Sequence, residues 1–133
     1  MTMTVAAIDH VNLHVPADGL EDVLDFYGDR LGFEIENVDL FEAGEKGFVS
    51  ARLTPTSIVH FQPRADFVPP TGNSYDHVAL AVEEDVEQLK ANLAAVGVEV
   101  EREIEALGAT GLTPTVYFHD PFGYLLEVTV AEA

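Results

Sequence analysis

The phrase "DHVNLHV" occupies residues 9–15, and "DHVALAV" occupies residues 76–82. The chain has 133 residues and five histidines, and two of these histidines head the same short phrase. His10 and His77 lie 67 positions apart. Both phrases alternate apolar and polar residues, the mark of a strand with one buried face. The offset of 67 is the number to carry through the rest of the chain.

The segments after the two phrases repeat as well. After the first, Pro16 ends the strand, and Asp18 with Glu21 is placed to cap a helix. Leu20, Val23, Leu24, Tyr27 and Leu31 come next at helical spacing up to Gly32. After the second phrase, Val86, Leu89, Leu93 and Val96 form a similar stripe that Gly97 closes. "GFEIE" (32–36) and "GVEVE" (97–101) then alternate as strands. "KGFVSARL" (46–53) and "SIVHF" (57–61) read as a hairpin through "TPT". "TPTVYFHD" (113–120) and "GYLLEVTV" (123–130) read as its counterpart through the "DPFG" turn.

The chain is therefore expected to fold as two βαβββ modules of α+β class. Module 1 spans about residues 7–62, the linker 63–74 and module 2 about residues 75–130, in a single domain over 1–133 with a shared core.

The offset that relates His10 to His77 also relates His60 to Glu127. Side chains alternate across a strand. Val11, Leu13 and Val15 thus oppose His10, Asn12 and His14, and Val59 and Phe61 oppose His60. Val78, Leu80 and Val82 oppose His77, and Leu126, Val128 and Val130 oppose Glu127. One histidine on a strand is ordinarily a surface or core residue. Four metal-type residues at symmetric places in two modules can instead converge on one point. A carboxylate inside an apolar strand is costly to bury unless a cation or a partner compensates it. Three imidazoles and one carboxylate suit a borderline divalent ion such as zinc, nickel, cobalt or iron. His14 and His119 do not obey the repeat and are expected to line the cavity or the surface.

Composition narrows the partners. Twenty-four Asp and Glu face six Lys and Arg, a formal net charge of −18. Such a field repels nucleic-acid phosphates and anionic membrane surfaces, so neither is expected as a partner. The excess of carboxylates points to adaptation to high salt, where counterions screen the self-repulsion. There is no cysteine, so neither a disulfide nor a thiolate metal site is possible. No apolar run is long enough for a membrane span, and "MTMTVAAIDH" lacks the features of a signal peptide. A soluble cytoplasmic protein is expected.

The doubled βαβββ pattern, with "DHVNLHV", "YDHVAL" and "YFHDPFGYLLEV", resembles the vicinal oxygen chelate superfamily from about Ala7 to Val130. That group includes glyoxalases, methylmalonyl-CoA epimerase, fosfomycin-resistance proteins and extradiol dioxygenases. Its most specific part here is the turn Asp120-Pro121-x-Gly123 leading to Glu127; "SIVHFQP" and "GATG" (108–111) are similar to small glyoxalase-like proteins.

The resemblance implies a cup-shaped, partly open eight-stranded mixed sheet with helices outside. It implies one divalent ion (Ni, Zn, Co, Fe or Mn) held by His10, His60, His77 and Glu127. A homodimer and a small-molecule substrate bound through adjacent oxygens are implied as well.

With His60 as a ligand, the site suits a glyoxalase-type lyase or isomerase acting on a small carbonyl substrate. Without it, His10, His77 and Glu127 form the triad of a ring-cleaving extradiol-type dioxygenase, or of an antibiotic-resistance or ligand-sequestering protein. Bacterial glyoxalases carry a carboxylate where this chain has His60, which leaves Glu127 as base, with a neutral His60 as the alternative. Arg30, Arg52, Arg64 and Lys46 are the cations available for an anionic substrate.

Overall fold

A computed structural model describes residues 2–131 of the chain. The chain divides into two compact units, Met1–Phe67 and Val68–Ala133. Each unit carries a four-stranded mixed sheet, so the α+β class and the paired βαβββ modules are present.

Unit 1 runs through strand β1 (His10–Pro16), helix α1 (Leu20–Val23), strand β2 (Glu34–Glu36), helix α2 (Val38–Glu42), and strands β3 (Val49–Thr54) and β4 (Ser57–Arg64). Unit 2 runs through β5 (Val78–Val82), α3 (Val86–Ala95), β6 (Arg102–Gly108), β7 (Gly111–His119) and β8 (Leu125–Val130). The strand orders are β1-β4-β3-β2 and β5-β8-β7-β6, which is the same order twice.

The offset of 67 survives in the hydrogen-bond register. β1 runs parallel to β4 with Val11 across from Val59, and β5 runs parallel to β8 with Val78 across from Leu126. On the next ladder Ser50 faces His60, and Tyr117 faces Glu127. A one-residue slip would turn every apolar residue to the opposite face, so this register is set by burial. Leu13, Val15, Val59 and Phe61 are buried with Val23, Phe26 and Tyr27 in unit 1. Leu126, Val128, Val116 and Phe118 are buried with Leu89 and Leu93 in unit 2.

Three local expectations need correction. The first helix is capped not by Asp18 but by Gly19, without any side-chain cap. The chain doubles back after Pro16, whose carbonyl accepts from the Gly19 N–H at 2.9 Å. A Cβ on Gly19 would meet that oxygen at 3.0 Å and Val15 at 3.2 Å, so the helix starts at the glycine. Beyond Val23 the helix widens into π-type turns over Leu24–Arg30, with the Leu31 N–H donating to the Phe26 carbonyl at 2.9 Å. The wider winding places Phe26 and Tyr27 together in the core, where the plain helical stripe counts only Tyr27.

The segment 97–101 is not a strand. Gly97 adopts φ +75, and the Val98 N–H returns to the Leu93 carbonyl at 3.0 Å, closing α3 with Val98 buried. That is a helix-terminating motif with its apolar contact, and its Val-x-Val alternation imitates a strand. β6 starts only at Arg102. The short helix α2, preceded by Asn37 at φ 70, has no counterpart in the sequence pattern.

Candidate metal centre

The "DPFG" turn positions the most buried of the candidate ligands. Asp120 is buried, and its Oδ1 accepts from the backbone N–H of Phe122 (2.9 Å) and of Tyr124 (2.8 Å). Gly123 takes φ +96, a conformation that favours glycine. The turn delivers the chain into β8 with Leu126 and Val128 facing the core and Glu127 on the other face. Glu127 is only 8% exposed, so its carboxylate needs partners. His77 Nε2 stands 2.7 Å from Glu127 Oε2, and Tyr117 faces Glu127 across the ladder from the neighbouring strand. Burial, with the negative charge of Glu127 next, raises the pKa of Tyr117 above the ordinary phenol value.

Unit 1 brings together the other two candidates. The rings of His10 and His60 lie 4.6 Å apart on the adjacent strands β1 and β4. Ser50 Oγ is 2.7 Å from His60 Nδ1, and the Phe48 ring packs 4.2 Å from the His60 ring. Burial holds the His60 imidazole below the usual histidine range; His10 adds to this, and Asp9 opposes it. A neutral ring has the lone pair a metal requires.

The expected residues thus form two pairs, His10 with His60 and His77 with Glu127. Among the described residues no group of three or more His, Asp or Glu side chains is gathered closely enough to hold a metal ion. The donor set does fit one. The Nδ1–H of His10 donates to Asp9 Oδ2 at 2.9 Å, and the Nδ1 of His77 lies 2.5 Å from Asp76 Oδ1. In His10 the nitrogen left over for coordination is Nε2; in His77 Nε2 meets Glu127, and a cation would have to take the place of that contact.

The model of the Glyoxalase/Bleomycin resistance protein/Dioxygenase superfamily matches residues 7–128. The chain belongs to this superfamily. Among solved structures it is similar to a Bacillus anthracis protein assigned to the glyoxalase family, at 24% identity and TM-score 0.76, covering 99% of this chain and 100% of that one. It is also similar to the lactoylglutathione lyase of Agrobacterium tumefaciens, at 21% identity and TM-score 0.69, covering 97% and 96%. A glyoxalase/dioxygenase of Nostoc punctiforme aligns at 17% identity and TM-score 0.71, over all of both chains. These likenesses show the fold. No curated protein matches the chain significantly.

Within this superfamily member, several site neighbours escape sequence reasoning: Asp9, Asp76, Ser50, Tyr117 and Arg102. The signal was present for four of them, since the offset of 67 relates Asp9 to Asp76 and Ser50 to Tyr117. His14 and His119 are exposed, and His119 Nδ1 lies 2.8 Å from Glu101.

Three of the four cations named above for an anionic substrate already hold carboxylates. Arg30 binds Asp25, Arg52 makes a two-pronged contact with Glu36, and Arg64 does the same with Asp66. Arg102 is placed differently. It sits across from Tyr117, which sits across from Glu127, and its guanidinium lies 5.7 Å from the centre of the Tyr117 ring. Arg102, Tyr117 and Glu127 therefore share one face of the sheet.

Proposed function

We propose that the chain is a divalent-metal-dependent lyase or isomerase of glyoxalase type, acting on a small carbonyl or vicinal-oxygen substrate. The observation that carries this reading is the pair of repeat-related ligand pairs, His10 with His60 and His77 with Glu127. Each pair includes an imidazole whose Nδ1 is engaged by a neighbouring side chain. In this proposal both pairs supply ligands to a divalent ion.

A bound divalent ion supplies Lewis acidity that makes the proton beside a carbonyl easier to remove. The residues do the rest. Glu127 is the base, its carboxylate oriented by Tyr117 and His77. His60, its pKa lowered by burial, completes the four ligands, or serves as the alternative base where it does not coordinate. Arg102 lies two strands from Glu127, roughly 10 Å at the usual strand spacing. That span suits a small substrate with its carbonyl at the ligands and an anionic end at Arg102.

The test is proton exchange. The zinc-, nickel- or cobalt-loaded protein is incubated in deuterium oxide with small α-hydroxy carbonyl compounds and followed by NMR. Metal-dependent deuterium uptake that Glu127→Gln abolishes is the expected result. Oxygen-dependent ring cleavage of a catechol by the iron-loaded protein, without such exchange, would replace this reading by the dioxygenase one. His60→Ala separates the two as well. In a four-ligand site it weakens metal binding by about tenfold to a hundredfold or more. In a three-ligand site occupancy is nearly unchanged.

A further inference from the structure

The repeat duplicates more than the four candidate ligands. Asp9 precedes His10, Asp76 precedes His77, and in each case the carboxylate meets Nδ1 of the next residue's ring, at 2.9 Å and 2.5 Å. Ser50 stands across the ladder from His60, with its hydroxyl 2.7 Å from Nδ1, and Tyr117 stands across from Glu127, its hydroxyl interacting with that carboxylate's charge. All four contacts obey the offset of 67. We infer that Asp9, Asp76, Ser50 and Tyr117 are positioning residues that present Nε2 of His10, His77 and His60, and the carboxylate of Glu127, to a divalent cation.

The simpler account treats Asp9–His10 and Asp76–His77 as surface pairs of little consequence, since the two carboxylates are 85% and 89% exposed. Three observations weigh against it. Both aspartates select the same ring nitrogen, although either nitrogen of a mobile surface histidine is available. Nε2 of His77 is directed at the other candidate ligand of its pair, Glu127, at 2.7 Å. Ser50, fully buried, has His60 Nδ1 within hydrogen-bonding distance of its hydroxyl, and a buried hydroxyl is kept only where it is bonded.

The chemistry comes from the inventory of donors. A carboxylate only accepts, so a ring nitrogen bonded to it carries a proton; in His10 the opposite nitrogen then carries the lone pair, while in His77, whose Nε2 also meets a carboxylate, a cation has to displace the Nε2 proton. A negative partner behind an imidazole also raises its basicity as a ligand. For His60 we assign Ser50 Oγ the acceptor role, with the proton on Nδ1. Tyr117 acts on the carboxylate instead, orienting it with its O–H and leaving the remaining lone pairs of Glu127 for a cation. The duplicated unit is thus a ligand with its orienter, written four times.

The inference rests on the metal-site reading, and the experiment separates the two. Zinc affinity is measured by competition with a chelating dye for the full chain and for His10→Ala, Asp9→Ala, Asp9→Asn, Asp76→Ala, Ser50→Ala and Tyr117→Phe. Thermal midpoints are recorded alongside. Long-range proton–nitrogen NMR of the metal-free protein assigns the tautomers of His10 and His60.

The expected result is Nδ1–H on both rings and zinc binding that His10→Ala weakens. Asp9→Ala, Asp76→Ala, Ser50→Ala and Tyr117→Phe each weaken it about tenfold to a hundredfold. Asp9→Ala disturbs the His10 tautomer without lowering the midpoint, and Asp9→Asn, which keeps an acceptor oxygen, restores much of the loss. If His10→Ala weakens zinc binding while these four variants leave it within about twofold and Asp9→Ala leaves the tautomer unchanged, the positioning inference fails and the metal reading stands. If wild-type zinc binding is absent or indifferent to His10→Ala, both fail.

Discussion

Replacing Asp120 by alanine tests whether the "DPFG" turn is held by its first side chain. Asp120 Oδ1 accepts two backbone N–H groups, from Phe122 at 2.9 Å and Tyr124 at 2.8 Å, and the turn is closed further by the Asp120 N–H on the Tyr124 carbonyl at 2.9 Å. Phe122 and Tyr124 are both buried, so neither N–H gains a full shell of water when the carboxylate is removed. A hydrogen bond to a charged acceptor contributes about 1.5–3 kcal/mol. Pro121 and Gly123 are exposed, so some solvent reaches the turn, and the lower end applies to each bond. Asp120→Ala is then expected to cost about 3 kcal/mol in total. With a urea dependence of about 2 kcal/mol per molar for a domain of this size, the unfolding midpoint falls by about 1.5 M. Asp120→Asn retains one acceptor oxygen and is expected to lose about 1 kcal/mol. Urea titrations of the three proteins, followed by circular dichroism, measure this. A drop below about 0.5 M for alanine, or equal losses for alanine and asparagine, would refute the assignment of the turn's stability to Asp120.

Three further predictions concern the rest of the molecule. Tyr75 donates to the Leu125 carbonyl at 2.8 Å, and burial pushes its phenol up to about 12. The unfolded chain loses this proton near pH 10 and the folded one keeps it, so stability falls as pH rises from about 10 towards 12; Tyr75→Phe should flatten that slope in thermal melts. The excess of 18 negative charges predicts that stability rises from 0.1 to 1 M potassium chloride, as the screening length falls from about 10 to about 3 Å. A flat or falling midpoint over that range would contradict salt adaptation. Light scattering in concentrated salt should report the mass of two chains, and the mass of one would exclude the homodimer.

The strands were legible because alternation is a consequence of burying one face. Val15 and Phe61 are nearly inaccessible, while the histidines beside them in sequence are not buried, and no other register does this. The start of the first helix was not legible, because it depends on Gly19 fitting against Pro16 and Val15, a contact between residues already folded. The π-type turns and the late start of β6 likewise come from packing of Phe26 and Val98, which a periodic pattern does not encode. For the site, the repeat identifies equivalent residues, His10 with His77 and His60 with Glu127. Neighbours are set by strand order instead, which brings His10 to His60 and His77 to Glu127. The orienting residues were readable in principle, since aspartate is repeated with histidine in both phrases. Their role appears only once the ring nitrogens have positions.

The central claim is that residues related by the repeat form one metal site, and metal content measures it most directly. The protein is purified, stripped, reloaded with zinc and analysed for metal per chain, alongside His10→Ala, His60→Ala, His77→Ala and Glu127→Gln. The account predicts one ion per site in the wild type, with binding weakened by loss of any one of the four and turnover abolished in Glu127→Gln. Metal occupancy that survives both His10→Ala and Glu127→Gln would contradict it and leave the histidines as cavity lining.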